Sequence, residues 1–298
     1  MTNSPQRQQQ FPLSVIIPTL GGDSLAKTIE QLNRGTVVPS EILVCIPEKE
    51  SSRAEKLAFG NVKIVRTACR GQVAQRAEGF QKASNELVLQ LDDDISVSAT
   101  CLQILVACMG ESSDVAVGPK LYDMKTGEYH SFMVPFEKNS WFERFLFWVV
   151  NGSRGYVPGQ IGRAGVNMGV PEEPDNWSDI GWLPGCCVLH RKQNLVLYDF
   201  YPFKGKAFAE DLFHAALLKK KGVRLMRCGA AICAVDFSSG HISDPVNFIK
   251  AYRAHTRAMT RLARNNGGSL PFLYLYLFLN VIGLVRRKLR SAKTAKSI

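Results

Sequence analysis

The chain has 298 residues, 46% of them hydrophobic and 21% charged, with a formal net charge of +11 at pH 7. This composition suits one large α/β domain with an appendage, or two modest domains, and excludes a disordered, collagenous or coiled-coil chain. The charge is localised: residues 1–249 hold 26 Lys/Arg against 26 Asp/Glu, whereas residues 250–298 hold the other 11 Lys/Arg and no acid, so the basic character belongs to a C-terminal surface.

The first ten residues are polar and lack an apolar signal core, which predicts a cytoplasmic protein. Leu13 to Ile17 is a β-branched run ended by Pro18 and reads as a buried strand. Asp23 or Ser24 caps a helix with Leu25, Ile29 and Leu32 on one face, and Gly35 stops it. Strands follow at 41–46 and 62–65, then a helical stripe of Val73, Ala77 and Phe80, then a strand at 86–91 that ends in Asp92-Asp93-Asp94. Strands alternating with helices predict a parallel sheet with helices on its faces. Ligands of such sheets sit outside the carboxyl ends of the strands. The Pro18–Gly22 turn, the Pro47-Glu48 turn and the Asp triplet all fall there.

Residues 138–182 lose periodicity. Trp141, Phe142, Phe145, Phe147 and Trp148 precede Gly- and Pro-rich sequence, which predicts either a functional loop or an aromatic patch packed on the core. A strand at 182–189, a helix opening at Glu210-Asp211 and closing at Lys219-Lys-Lys-Gly222, and a strand at 223–226 complete the body. None of the eight cysteines forms a Cys-x-x-Cys pair, and several lie in apolar runs, so all are expected to be reduced and buried.

Three consecutive carboxylates after a buried strand repel one another unless a cation or hydrogen-bond donors compensate them. A hard divalent cation takes such oxygens together with substrate phosphates; a solvated acidic turn before the next helix is the alternative. The pieces Val15-Ile-Ile-Pro18-Thr19, Gly71-Gln-Val-Ala-Gln-Arg76-Ala-Glu-Gly79, Leu89-Gln-Leu-Asp-Asp-Asp94, Gly185-Cys-Cys-Val-Leu-His-Arg191 and Phe208-Ala-Glu-Asp211 stand in an order and spacing that resembles family 2 glycosyltransferases of the GT-A fold.

The resemblance implies a Rossmann-like, mostly parallel sheet with flanking helices within residues 1–240, and the residues after it, 241–298, read as an appended helical tail. It implies inverting transfer from a nucleoside-diphosphate sugar to a saccharide or lipid-linked acceptor, with Mg²⁺ or Mn²⁺. Asp92 and Asp94 match the family's paired aspartates, Asp94 on the metal and Asp92 on metal or donor ribose, with Asp93 beside them on the donor side. Pro18, Thr19 and Glu48 occupy the places that hold base and ribose. The family usually has Asp after the second strand, where this chain reads Cys45-Ile-Pro-Glu48. Arg76 matches an arginine near the donor diphosphate, with a surface helix salt bridge as its alternative reading. Asp211 matches the base that takes the acceptor proton, with Glu210 next to it. His241 stands where relatives place a third metal ligand, unless it is a plain surface residue. Trp182 and Gly185 match the acceptor side.

In the tail, Arg253, Arg257, Arg261 and Arg264 step by four, four and three and share one helical face. Leu270 to Val285 is uncharged and mostly apolar, and Arg286-Arg-Lys-Leu-Arg290 follows. Sixteen residues fall short of a comfortable membrane span. A helix in the interface of an anionic membrane is expected, placing the protein at the inner face of the cell membrane; a buried oligomerisation helix through 270–290 and a true span are the alternatives. An inactive membrane-associated sugar-binding or scaffold protein of the same fold is the alternative to an enzyme. No basic motif interleaved with aromatics points to nucleic acid.

Overall fold

The computed structural model describes residues 10–130, 132–134, 141–237 and 245–294, with side chains to residue 283. The chain divides into two compact units: Met1–Ser131 with Pro171–His241, and Phe132–Val170 with Ile242–Ile298. Residues 132–170 fall with the tail in the second unit.

The first unit is built on a nine-stranded sheet among the described residues. Its first half follows the predicted alternation: β1 (Gln10–Pro18), α1 (Ser24–Arg34), β2 (Val38–Pro47), β3 (Val62–Thr67), α2 (Gln72–Lys82) and β4 (Leu87–Leu91). β1 lies between β2 and β4, and β3 flanks β2, all parallel. Val15, Ile16, Ile17, Ile42, Val44 and Leu89 have no exposed surface, as expected of strands covered on both faces. Gly79 lets α2 lie close on this sheet: a Cβ there would stand 2.5 Å from both Cys45 Sγ and Ile16 Cγ2. Cys45 behaves as the small hydrophobe expected, and burial pushes its thiol up to about 12.

The second half is mixed rather than parallel. After β5 (Ile95–Val97), α3 (Cys101–Met109) and β6 (Val115–Asp123) come β7 (Trp177–Ile180), β8 (Cys187–Arg191), α5 (Glu210–Lys220) and β9 (Arg224–Val235). β8 runs antiparallel to both β4 and β6, and β5 and β7 run antiparallel to β9. β6 runs parallel to β9, so β7 and β8 point the same way without pairing with each other. The stretch 182–186 lies before β8 as turn and loop, and β9 is far longer than the expected strand at 223–226.

The second unit contains α4 (Trp141–Asn151), α6 (Pro245–Asn265) and α7 (Leu270–Thr294). The aromatic cluster read as irregular is thus an eleven-residue helix. Cys108 on α3 and Cys228 on β9 form a disulfide, which corrects the expectation of eight reduced thiols. Their 120-residue separation leaves no motif in the sequence. Cys45, Cys101, Cys187 and Cys233 are free and buried.

Candidate active site

The parallel register sets the site. Pro18 pairs with Cys45 and Ile16 with Gln90, so Thr19 and Asp92 leave the sheet at one edge. β8, being antiparallel to β4, begins at that same edge with Cys187 opposite Leu91. The backbone N–H of Asp92 donates to Cys186 O at 2.9 Å, stitching the Asp triplet to the Gly185-Cys186 loop. Ile95 pairs with Val235, which brings the end of β9 alongside Asp94. There Asp236 raises the pKa of Asp94, behind the larger effects of burial and Asp93.

The donor-side loops are tied by neutral side chains. Gln75 Nε2 donates at 2.7 Å to both Thr19 O and Cys45 O, joining the ends of β1 and β2. Thr19 Oγ1 donates to Asp93 Oδ2 in a short hydrogen bond and accepts from Gly21 N–H at 2.9 Å. Pro18 is buried at the end of β1. Glu48 opens a short 3₁₀ turn after β2 with its side chain largely exposed, 3.7 Å from Arg66.

Arg76 links the two halves of the site. It is 1% exposed, so the alternative of a surface helix salt bridge does not hold. Its Nη1 reaches Glu210 Oε2 at 3.0 Å and Oε1 at 3.2 Å, and its Nη2 reaches Asp92 Oδ1 at 3.2 Å. Gln72 Nε2 donates to the same Asp92 oxygen at 2.8 Å. One guanidinium fork therefore holds one carboxylate from the β4 edge and one from the start of α5, residues 134 apart in sequence from Arg76 to Glu210. Burial alone would lower the pKa of Arg76, but Glu210 and Asp92 raise it and keep the cation. Burial pushes Asp92 up to about 7 in spite of Arg76, with Glu210 adding repulsion.

α5 is entered through Ala209 at φ 55°, ψ 27°, a left-handed conformation that costs on the order of 1 kcal/mol for a non-glycine residue and turns the chain sharply into the helix. Glu210 and Asp211 then form its first turn. Asp211 Oδ1 accepts from the N–H of Leu212 at 3.0 Å, which fixes the carboxylate at the helix start. Burial first, then Glu210, pushes Asp211 up to about 7. His214, one turn on, is held neutral because burial, His190 and Arg76 all lower its pKa, so it adds no cation to stabilise the Asp211 anion. Asp211, Gly185 and His214 line a small pocket of about 10 Å³, roughly the room of one water. Cys186 feels the charges of Asp92, Asp211 and Asp94 together, behind burial.

Gly185 has to be glycine. A Cβ there would stand 2.5 Å from Glu210 Oε1 and 3.4 Å from Gln90 Nε2, and Gln90 Nε2 donates to Gly185 O in a short hydrogen bond. Gly185→Ala is expected to push Glu210 off Arg76, costing about 1–3 kcal/mol in a chemical or thermal melt and lowering turnover with it. Trp182 is 3% exposed. His241 lies outside the described residues. Sequence reading missed Gln72, Gln75 and Gln90. Only Gln90, a polar residue inside the apolar strand Leu89-Gln-Leu91, left a signal.

A model of glycosyl transferase family 2 matches residues 14–163, just over half of the chain. The chain belongs to that family. Among solved structures, GalNAc-T7 crystallised with UDP, GalNAc and Mn²⁺ aligns at 18% identity and a TM-score of 0.55, over 75% of this chain and 42% of its own. TarS 1–349 of S. aureus in complex with UDP-GlcNAc aligns at 15% identity and a TM-score of 0.45, over 83% of this chain and 66% of its own. No curated protein matches the sequence. The chain therefore spans less than half the length of GalNAc-T7, and the likeness concerns the GT-A fold.

Asp94 is solvent-exposed although its carboxyl is partly desolvated, and it offers oxygen atoms of the kind a hard cation takes. No group of three or more His, Cys, Asp or Glu among the described residues is placed to hold a metal. A cation held by one or two carboxylates and completed by substrate phosphates needs no such cluster.

Proposed function

We propose that the protein is a metal-dependent glycosyltransferase that moves a sugar from a nucleoside-diphosphate donor to a hydroxyl of a saccharide or lipid-linked acceptor, with inversion at the anomeric carbon. The observation that carries this reading is the clamp: Arg76 grips Asp92 and Glu210, and so holds the donor-side aspartates in fixed relation to Asp211.

Asp94 and Asp92 would hold Mg²⁺ or Mn²⁺, which when bound offsets the charge developing on the diphosphate leaving group. Pro18, Thr19 and Glu48 line the base and ribose end, and Asp93 orders that loop through Thr19. Both terminal nitrogens of Arg76 are engaged by the two carboxylates, so its part is to orient them, and Glu210 shares that positioning role. Asp211 accepts the proton of the acceptor hydroxyl as its oxygen bonds to the anomeric carbon and the bond to the diphosphate breaks. A single displacement of this kind inverts the anomeric centre. Gly185 and Trp182 border the acceptor side, and His241 remains a proposed third metal ligand.

A thermal-shift screen of nucleotide sugars with and without Mn²⁺ tests the reading. One nucleotide class is expected to raise the melting temperature only when metal is present, with a stabilisation of about 2.7 kcal/mol at a ligand concentration 100 times Kd. No shift with any nucleotide sugar plus metal would contradict it.

A further inference from the structure

Two helices of the second unit turn apolar side chains to the outside. α4 buries Phe147, Val149 and Val150, yet exposes Trp141 (77%), Phe145 and Trp148 at spacings of four and three. α7 buries Leu273 and Leu277, yet exposes Tyr274, Leu275 and Phe278 (61%) on its other side. A helix packed against a water-facing core shows polar residues there. The two stripes adjoin: the Trp148 and Phe272 rings meet edge-on at 5.7 Å, and the Arg163 guanidinium lies over both, 4.9 and 3.4 Å from their centres.

A row of cations borders the stripes. Arg253, Arg257, Arg261 and Arg264 are all exposed on α6. Thr260, one turn from Arg257 and Arg264, donates its hydroxyl to Thr256 O and lies 3.3 Å from Tyr274 Oη, so the row runs beside the apolar face of α7. Residues 250–298 contain no acid that would oppose it.

We infer that this face docks on an anionic lipid bilayer, with α4 and α7 lying in the plane of the headgroups. Trp141, Trp148 and Phe278 would enter the acyl boundary while the arginine row meets lipid phosphates. Charge complementarity selects this occupant. In a two-fold dimer the same patch faces itself, which would set one arginine row against another. Nucleic acid would use the cations and leave the stripes in water. No helix among the described residues is long and apolar enough to cross a membrane, in keeping with a helix lying on it.

The test uses the full chain with phosphatidylcholine vesicles, with and without phosphatidylglycerol. Co-sedimentation is expected to be about tenfold or more tighter on the anionic vesicles and to weaken with salt. Brominated acyl chains are expected to quench tryptophan emission, and most of that quenching should vanish in W141F/W148F. The variant Tyr274→Ser/Leu275→Ser/Phe278→Ser is expected to lose vesicle binding with its melt retained. The variant Arg253→Gln/Arg257→Gln/Arg261→Gln/Arg264→Gln should lose the preference for anionic lipid. Absence of binding to anionic vesicles by the wild type overturns the proposal. So does a stable dimer that ignores vesicles and falls to monomer in the serine variant, or binding to duplex nucleic acid alone.

Discussion

Asp211→Asn is expected to lower kcat by about 10²- to 10⁴-fold, the usual contribution of a positioned general base, with donor affinity changed little. The asparagine side chain still accepts from the Leu212 N–H that orients Asp211, so the helix start stays intact while proton-accepting ability goes. The pH dependence follows from the environment. Burial and Glu210 hold the Asp211 pKa at about 7, far above that of an exposed aspartate. Only the ionised form takes a proton, so kcat/KM of the wild type should climb as pH rises through about 7 and level off above it. In Asp211→Asn the residual kcat, measured with donor and metal saturating, should lack that limb. A variant with the wild-type rate and profile would remove Asp211 from the chemistry. The linkage has the opposite sign for stability. A carboxyl whose pKa is raised by folding binds its proton more tightly in the native state, so its contribution to stability declines between about pH 4 and pH 7.

Arg76→Met is expected to be the most damaging substitution for the fold, by about 3–5 kcal/mol at pH 8, because it leaves the carboxylates of Glu210 and Asp92 buried without their cation. In a melt this corresponds to a drop on the order of 10 °C for a protein of this size. Arg76→Lys should recover only part of the loss, since an ammonium cannot make the bidentate contact to Glu210 and reach Asp92 as well. Adding Glu210→Gln to Arg76→Met should restore stability, because one of the stranded charges is removed. If the two losses simply add, Arg76 and Glu210 are not coupled and the clamp does not organise the site.

The sequence was most legible where one rule dominated. The β-branched runs at 13–17 and 41–46 became β1 and β2 because fully covered parallel strands tolerate little else. Asp92, Asp94 and Asp211 stood out because adjacent acids beside an apolar strand or at a helix start have few structural uses. α4 was hidden because its aromatics point both inward and outward, which blurs the helical period, and Gly-rich sequence follows it. β8 and β9 were misjudged in extent because their pairing depends on distant strands. Arg76 was placed near the diphosphate by resemblance, but a contact across 134 residues has no local pattern. Its partners emerged only when the antiparallel β8 brought the Gly185 loop, and with it Glu210, to the edge where β4 ends.

Equilibrium titration of the matching nucleoside diphosphate into wild type and Asp94→Ala, each with Mn²⁺ and with chelator, tests the central claim most directly. The wild type should bind tightly only with metal, and Asp94→Ala should bind weakly and equally under both conditions. Metal-independent affinity in the wild type, matched by the alanine variant, would contradict it.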